Sequence, residues 1–320
     1  MTAKVPTVVV IGGSYIDIAV KCNDFPSPGL PISGTALSYN ITGPGPNQAV
    51  EASLCNCRVF LISKVGGDPF ASRVRSILAE YNVNNDYVFT AEAKNTGAVV
   101  TMVNSIGENA SLTYTGANNA LQPQDIELTE QIISGADICL IHGQLPEDAI
   151  KTAINLAKIH GTKIILNPAR PLDKTEGRAA ELPLEYFAAD ILIPNLYEAA
   201  DITEHSAANI RTAKLIGSDL VARGAGTAVI TMGRRGCMVV NRESADHIPA
   251  FEVELFDHTG SGDAFAGALA ACCGAQDSMR EAVKFACAAG ALACTKFGAI
   301  ESMPSKADII ELLHKKDDIR

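Results

Sequence analysis

Short apolar runs alternate with stretches of helical periodicity along most of this chain. Six of the runs are rich in β-branched residues and have the length of a buried strand, namely VVVIGG, VFLISKVG, ICLIHG, KIILNP, ILIPN and AVITMG. Strands that alternate with helices pair in parallel within one sheet, and the helices cover both of its faces. The alternation therefore predicts an α/β protein with a mostly parallel central sheet flanked by helices.

Two segments have no helix between their strands. Residues 16–42 and 96–116 contain extended stretches joined by turns such as PSPG and IGEN, and together they predict a small β-sheet lid. No repeat or long linker divides the chain, so we expect one domain over residues 1–320, with the lid inserted into it. Near the end, the alanine-rich stretch 277–300 has helical periodicity, and Gly298 is its expected stop.

Charge and cysteine content narrow the class of protein. The 36 acidic and 26 basic residues give a net charge of −10, which argues against a nucleic-acid-binding surface. The first apolar run is short for a membrane span or a signal peptide. Nine cysteines are an odd number, and Cys55/Cys57 and Cys272/Cys273 are too close together for conventional disulfides or zinc knuckles. We expect a cytoplasmic protein with reduced thiols and with neither a nucleic-acid nor a membrane partner.

A glycine-rich stretch with an acid, Gly260-Ser261-Gly262-Asp263, directly precedes the apolar helical sequence AFAGALAACC. Glycines at the start of a helix leave backbone N–H groups open to an anion, which the helix dipole also favours. The stretch predicts a phosphate or oxyanion cradle. Taken alone, Asp263 has a second interpretation, because any carboxylate in the first turn of a helix is stabilised there without a catalytic role.

Two further motifs carry polar side chains next to predicted elements. Residues 42–49, TGPGPNQA, lead into a helix; their glycines allow a ligand to approach the backbone, and Asn47 offers donors and acceptors to hydroxyls. A plain turn with an asparagine cap is the alternative. Asn195 and Glu198 follow a strand and share one side of a helical turn, a spacing that can hold water around Mg²⁺ but is common by itself.

Together these motifs resemble the PfkB, or ribokinase-like, family of sugar kinases over nearly the whole chain. Residues 257–263, DHTGSGD, stand in place of the family signature D-T-x-G-A-G-D, and residues 42–49 stand in place of G-G-K-G-A-N-Q-A. The motif N-x-x-E matches Asn195 and Glu198. Further similarity lies in GGSYIDI around Asp17 and in residues 230–236, ITMGRRG.

The resemblance implies a ribokinase-like three-layer fold and ATP-dependent phosphorylation of a sugar hydroxymethyl group, most directly on ribose or a related pentose. It makes Asp263 the general base and the amides of Gly260, Ser261 and Gly262 an anion hole. Closure of the lid would exclude water from the reaction. A homodimer and an ATP·Mg²⁺ requirement are also implied, with potassium a candidate activator.

The resemblance also assigns binding roles to individual positions. The sugar would be bound by Asp17, Gly43, Gly45, Asn47 and Gln144. The nucleotide would be bound by Asn195, Thr231, Gly233 and Gly236, and Glu198 would hold Mg²⁺ through water. By a looser alignment, a monovalent cation would be bound at Asp257, Thr259, Ala293, Lys296, Gly298 and Ser302.

Four positions depart from the ribokinase pattern, all on the sugar side. Tyr15 replaces an asparagine, Thr42 a glycine, Pro44 a lysine and Gln144 a glutamate. A nucleoside is therefore an alternative acceptor, and a ligand sensor without catalysis is the alternative of another class. A nicotinamide-dependent oxidoreductase is disfavoured, because VVVIGGSYID lacks the G-x-G-x-x-G spacing.

Overall fold

The computed structural model describes residues 4–169, 182–207, 209–275 and 278–317. In chain order the strands are β1 (Thr7–Ile11), β2 (Tyr15–Cys22), β3 (Gly34–Thr42), β4 (Arg58–Gly66), β5 (Val83–Asn84), β6 (Val88–Ala91), β7 (Gly97–Val103), β8 (Asn109–Tyr114), β9 (Ile138–His142), β10 (Lys163–Asn167), β11 (Ile191–Leu192), β12 (Thr227–Thr231), β13 (Cys237–Val240) and β14 (Ala245–Ile248).

The α-helices of the described residues are α1 (Pro44–Leu54), α2 (Pro69–Glu80), α3 (Pro123–Glu127), α4 (Glu130–Ser134), α5 (Glu147–His160), α6 (Leu196–Thr203), α7 (Ile210–Ala222), α8 (Ser261–Gly274), α9 (Met279–Ala293) and α10 (Lys306–Asp317). Short 3₁₀ helices occupy Gly116–Ala120, Leu184–Ala188, Gly233–Arg235 and Ile300–Ser302. None of these helices has both the length and the apolar character needed to cross a bilayer.

The central sheet has the strand order β14-β13-β12-β11-β10-β9-β1-β4-β5, and β6 pairs with β4. From β12 to β5 every neighbouring pair is parallel, whereas β13 and β14 add an antiparallel edge. The predicted mostly parallel sheet is confirmed, and each of the six apolar runs contributes one of its parallel strands. Parallel strands end at one edge of a sheet, so the loops that follow them lie together there.

Alternate residues of each strand face opposite layers of helices. On β1, Val8 and Val10 pack against one core cluster and Val9 and Ile11 against the other. The first cluster includes residues of α1, α2, α8, α9 and α10, and the second includes residues of α3 to α7. The result is the three-layer α/β architecture that the sequence predicts.

The small sheet is separate and has the order β3-β2-β7-β8. Its register aligns Tyr39, Ile18, Val100 and Leu112 in one row across the four strands, and Asp17 belongs to the opposite face. One face is therefore apolar, while the other carries the acid that the sequence analysis places at the sugar.

The assignment of residues 1–320 to one domain stays a prediction.

Helix α9 ends earlier than the sequence predicts. It stops at Ala293, and Gly298 lies in the following turn with φ of 97°. The reason is tertiary: the Cys294 carbonyl accepts hydrogen bonds from the N–H groups of Phe256 and Asp257 at 2.9 and 3.3 Å. The backbone after α9 is thus hydrogen-bonded to the loop that precedes α8 instead of continuing the helix.

Candidate active site

Asp263 lies in the first turn of α8, which begins at Ser261. Gly260 precedes the helix in a left-handed conformation with φ of 75°, and residues 264–273 are buried. A Cβ atom added to Gly262 would meet nothing within 4 Å, so the helix start opens onto free space at this position. The Ser261 N–H donates to the His258 carbonyl at 3.3 Å. Gly262 is thus the most open of the three predicted anion-hole positions.

Both carboxylate oxygens of Asp263 are held by amides of α1. Asn47 Nδ2 donates to Oδ2 at 2.8 Å, and Gln48 Nε2 donates to Oδ1 at 2.9 Å. Burial raises the pKa of the Asp263 carboxyl above 3.8, and the two amides lower it by a smaller amount. A carboxylate with a fixed orientation and increased basicity has the properties of a general base.

Glycines allow α1 to approach the end of β1 closely. Gly43 has φ of 111°, and a Cβ atom there would lie 2.5 Å from the Gly13 carbonyl oxygen. A Cβ on Gly45 would lie 2.5 Å from the Gly12 carbonyl oxygen. No other residue fits at these distances. The predicted sugar-side glycines therefore set the position of the helix that holds Asp263.

The small sheet brings Asp17 toward the loop that precedes α8. Thr101 Oγ1 donates to Asp17 Oδ1 at 3.2 Å, and Ser111 Oγ donates to Thr101 Oγ1 at 3.2 Å. Burial raises the pKa of Asp17, and the negative charges of Glu301 and Asp257 raise it further. The lid acid and the glycine-acid loop are thus electrostatically coupled.

Tyr15 forms a wall of this region. Its side chain is 3 % exposed, and its ring lies against three glycines: Cβ atoms on Gly13, Gly43 and Gly97 would be 3.0, 2.8 and 2.7 Å from ring carbons. The Tyr15 hydroxyl is buried without a hydrogen-bond partner among the described residues. The substitution for asparagine thus replaces an amide by an aromatic ring with one polar atom.

Gln144, another of the four departures from the ribokinase pattern, follows β9 and is partly buried. Its backbone N–H donates to His142 Nδ1 at 3.3 Å. Burial lowers the pKa of His142 to about 4, so this histidine is neutral at physiological pH. Gln144 therefore lies at the same sheet edge as the loop after β1, beside a neutral histidine.

Asn195 and Thr231 meet at the carboxyl ends of β11 and β12. They form an isolated parallel bridge, with the Thr231 N–H donating to the Pro194 carbonyl at 3.0 Å. Asn195 Oδ1 caps α6 by accepting from Glu198 N at 2.9 Å, and Glu198 Oε2 accepts from Asn195 N at 2.8 Å. The predicted pair is a capping box, which fixes the Glu198 carboxylate at a helix N-terminus.

Gly233 and Gly236 form the turn after β12, with φ of 56° and 81°. Met232 N donates to the Gly236 carbonyl at 2.8 Å. A Cβ on Gly236 would clash with the carbonyl oxygen of Ile248, so β14 requires glycine there. The predicted nucleotide positions thus adjoin one another at this end of the sheet.

The predicted cation positions are partly joined by hydrogen bonds. Asp257 accepts from Thr259 N and Oγ1 at 3.0 and 2.7 Å and from Gly298 N at 3.2 Å. Partial burial raises the pKa of Asp257, but these bonds outweigh it and the net pKa is lowered. Ser302 Oγ donates to the Ala299 carbonyl at 2.8 Å. Asp257 is therefore ionised and is held by two backbone N–H groups and the Thr259 hydroxyl.

The remaining cation positions contribute differently. Ala293 is the last residue of α9, and the Lys296 side chain lines a surface groove beside α10. Within the described part of the chain, no cluster of three or more His, Cys, Asp or Glu side chains forms a metal site. Asp257 is the one acidic side chain among the six predicted cation positions.

Sequence reasoning missed Gln48, although it follows Asn47 in the early motif and contacts the same carboxylate. It also missed Glu51, one turn further along α1 and fully buried. Adjacency to Asn47 was the available signal for Gln48. Nothing in the sequence marks Glu51, because an acid on an amphipathic helix is usually exposed.

The site combines a base, an open helix start and glycine turns at one edge of the central sheet. The profile of the pfkB family carbohydrate kinases matches residues 5–306. The chain belongs to the PfkB family. This PfkB protein is accordingly a carbohydrate kinase, an enzyme that phosphorylates a sugar.

Individual relatives agree with this assignment of the PfkB protein. It is 29% identical to a deoxyribokinase of Salmonella typhi over 307 residues, covering 96% of this chain and 98% of the relative. It is 30% identical to a ribokinase of Staphylococcus aureus over 309 residues, covering 95% and 97%. Arabidopsis thaliana ribokinase complexed with ribose and ATP superposes with a TM-score of 0.88 at 26% identity, covering 97% and 99%.

Proposed function

We propose that this enzyme transfers the γ-phosphoryl group of ATP to the hydroxymethyl group of a pentose, ribose or deoxyribose. The observation that carries the proposal is the Asp263 carboxylate, held by two amides at the open start of a glycine-capped helix. The names of the relatives, ribokinase and deoxyribokinase, support a pentose as acceptor.

Asp263 accepts the proton of the hydroxymethyl group as the oxygen of that group attacks the γ-phosphorus of ATP and ADP leaves. Asn47 and Gln48 keep the carboxylate oriented toward that proton. The open N-terminus of α8 at Gly262 stabilises the negative charge that the transferred group carries. Asp17, on the lid, accepts hydrogen bonds from sugar hydroxyls. The lid then limits the access of water to the reacting atoms.

The donor groups also fit the proposed cations. Glu198 presents a carboxylate at the start of α6 beside the nucleotide positions, the hard oxygen ligand that hydrated Mg²⁺ prefers. Asp257, whose lowered pKa keeps it ionised, offers a hard carboxylate oxygen to a monovalent cation such as K⁺. Mg²⁺ would supply charge neutralisation on the phosphates, and K⁺ would support the loop that precedes the anion hole.

ADP release in the presence of ATP and Mg²⁺ tests the function, with ribose, 2-deoxyribose, fructose and a nucleoside as acceptors and with or without K⁺. We expect turnover of a pentose and a loss of at least about 100-fold in kcat in Asp263→Asn. Sugar binding by calorimetry should persist in that variant. Asp246→Asn, a half-exposed acid on β14, is the matched control and should keep full activity. Retained turnover in Asp263→Asn would refute the mechanism.

The same panel separates the alternatives. Selective turnover of the nucleoside would replace the pentose by a nucleoside as substrate. Sugar binding without ADP release across the panel would indicate the ligand sensor. The two amides that orient Asp263 favour the kinase, because a sensor does not need a held base.

The exposed apolar face of the small sheet supports a homodimer. Leu37, Tyr39, Leu112 and Tyr114 are 56, 45, 72 and 53 % exposed, and Val100 between them is 38 % exposed. Contiguous apolar surface of this kind typically marks an association site. A second copy that covers it would hide both lids from water. The use of ATP and the nine free cysteines support a location in the cytoplasm.

A further inference from the structure

Glu51 is a buried acid for which the proposed mechanism has no use. Its side chain is 0 % exposed, and a Cβ atom on Gly267 of α8 would lie 2.7 and 3.0 Å from its Cβ and Cγ atoms. Oε1 accepts from the Cys55 thiol at 3.4 Å, whereas Oε2 has no partner among the described residues. An ionised carboxylate at such a site is strongly disfavoured, so the side chain requires a proton or a donor.

Gln48 has a buried acceptor that lacks a donor. It lies three residues before Glu51, on the same side of α1. Its Nε2 donates to Asp263, but its Oε1 is buried without a partner among the described residues. Buried amide oxygens in proteins nearly always accept a hydrogen bond. A protonated Glu51 would supply the missing donor.

The packing of α1 on α8 places the two side chains in sequence behind the base. Gln48 contacts Asp263, and Glu51 packs against Gly267, four residues later on α8. Glu51 thus lies one helical turn deeper than Asp263 along the same interface. Only glycine at position 267 leaves room for the Glu51 side chain there.

We propose that Glu51 is a neutral carboxylic acid whose Oε2–H donates to Gln48 Oε1 and so fixes the amide that holds Asp263. Glu51 is a positioning residue, since it acts on the base through Gln48 and touches no substrate. The proposal rests on the proposed role of Asp263.

The electrostatic surroundings agree with a neutral acid. Burial raises the pKa of Glu51 to about 8, and the Cys55 hydrogen bond lowers it by less. The thiol of Cys55 has a raised pKa because of burial and the neighbouring Glu51 and Cys272, so it stays protonated. The groups that determine the pKa of Glu51 include no cation.

Two Glu51 variants with side chains of nearly equal volume separate the effect of the hydrogen-bond donor from the effect of side-chain packing. Glu51→Gln keeps an N–H donor for Gln48, and Glu51→Met keeps the length but has no donor. We expect Glu51→Gln to retain kcat within about three-fold and Glu51→Met to lose at least about ten-fold, with KM for sugar and ATP unchanged. We also expect the acidic limb of the pH profile of kcat/KM to move to higher pH in Glu51→Met, because a loosened Gln48 no longer lowers the pKa of Asp263.

A purely structural role would lower the stability of Glu51→Met without moving the acidic limb, and that result would overturn the proposal. Equal losses of kcat in both variants would overturn it as well. An infrared difference spectrum between the wild type and Glu51→Gln at mildly acidic pH needs neither turnover nor the Met variant. It should show loss of a protonated carboxyl band, and loss of a carboxylate band instead would refute the neutral acid. Absent turnover in the wild type would refute the proposed function alone.

Discussion

Glu51→Gln should change how the stability of the protein depends on pH. The carboxyl has an ordinary pKa of 4.5 in the unfolded chain and a pKa of about 8 in the fold. Between these values the folded state keeps a proton that the unfolded state releases, so the free energy of unfolding falls as pH rises. Crossing the whole interval costs about 5 kcal/mol, at about 1.4 kcal/mol for each pH unit. Glutamine has no proton to lose and removes this cost.

Urea unfolding of the wild type and Glu51→Gln at pH 5, 6, 7 and 8 measures the effect, because every other titrating group is common to both. The stability of the variant relative to the wild type should increase by about 3 to 4 kcal/mol from pH 5 to pH 8, because this range lies between the two pKa values of the Glu51 carboxyl. Glu243→Gln, an exposed acid in a turn, is the control and should show a constant difference. A constant difference for Glu51→Gln would mean that Glu51 is ionised in the fold.

Three further outcomes follow from the same geometry. Gly267→Val should destabilise the protein by about 1–3 kcal/mol in thermal unfolding, because the new Cβ atom would lie 2.6 Å from the Gln48 carbonyl oxygen. Gly262→Ala is the control on the same helix: no atom lies within 4 Å of its Cβ position, so the melting temperature should not change. Leu112→Lys should convert a dimer into a monomer in light scattering, and an unchanged mass would exclude this face as the interface. The raised pKa of Asp263 predicts that kcat/KM falls with decreasing pH through a value above 3.8, and a flat profile down to that pH would contradict it.

The sequence predicted the features that depend on local order. Six short apolar runs rich in β-branched residues identified the parallel strands, because a strand buried on both faces has few polar residues. Gly260 to Asp263 predicted a glycine-capped helix with an acid in its first turn, since this arrangement involves consecutive residues. The end of α9 was predicted wrongly, because the hydrogen bonds that end it come from Phe256 and Asp257, far away in the chain.

The hydrogen bonds that hold Asp263 could not be predicted from the sequence, because they too join residues that are distant in the chain. Asn47 and Asp263 are 216 residues apart, and only the packing of α1 on α8 brings them together. From the sequence alone, an acid on an amphipathic helix such as Glu51 is expected at the surface. The packing of α1 on α8 shows instead that Gln48 and Glu51, three residues apart, both face the interface between the two helices. The close approach at Gly267 then explains how a glutamate can be buried here. The glycine provides the space, and Gln48 Oε1 accepts a hydrogen bond from the carboxyl, which burial keeps protonated. Glu51 and Gln48 should therefore be coupled in a double-mutant cycle. Gln48→Met and the Glu51→Met, Gln48→Met double variant should then have nearly the same kcat, because Gln48→Met removes the amide through which Glu51 acts on the base.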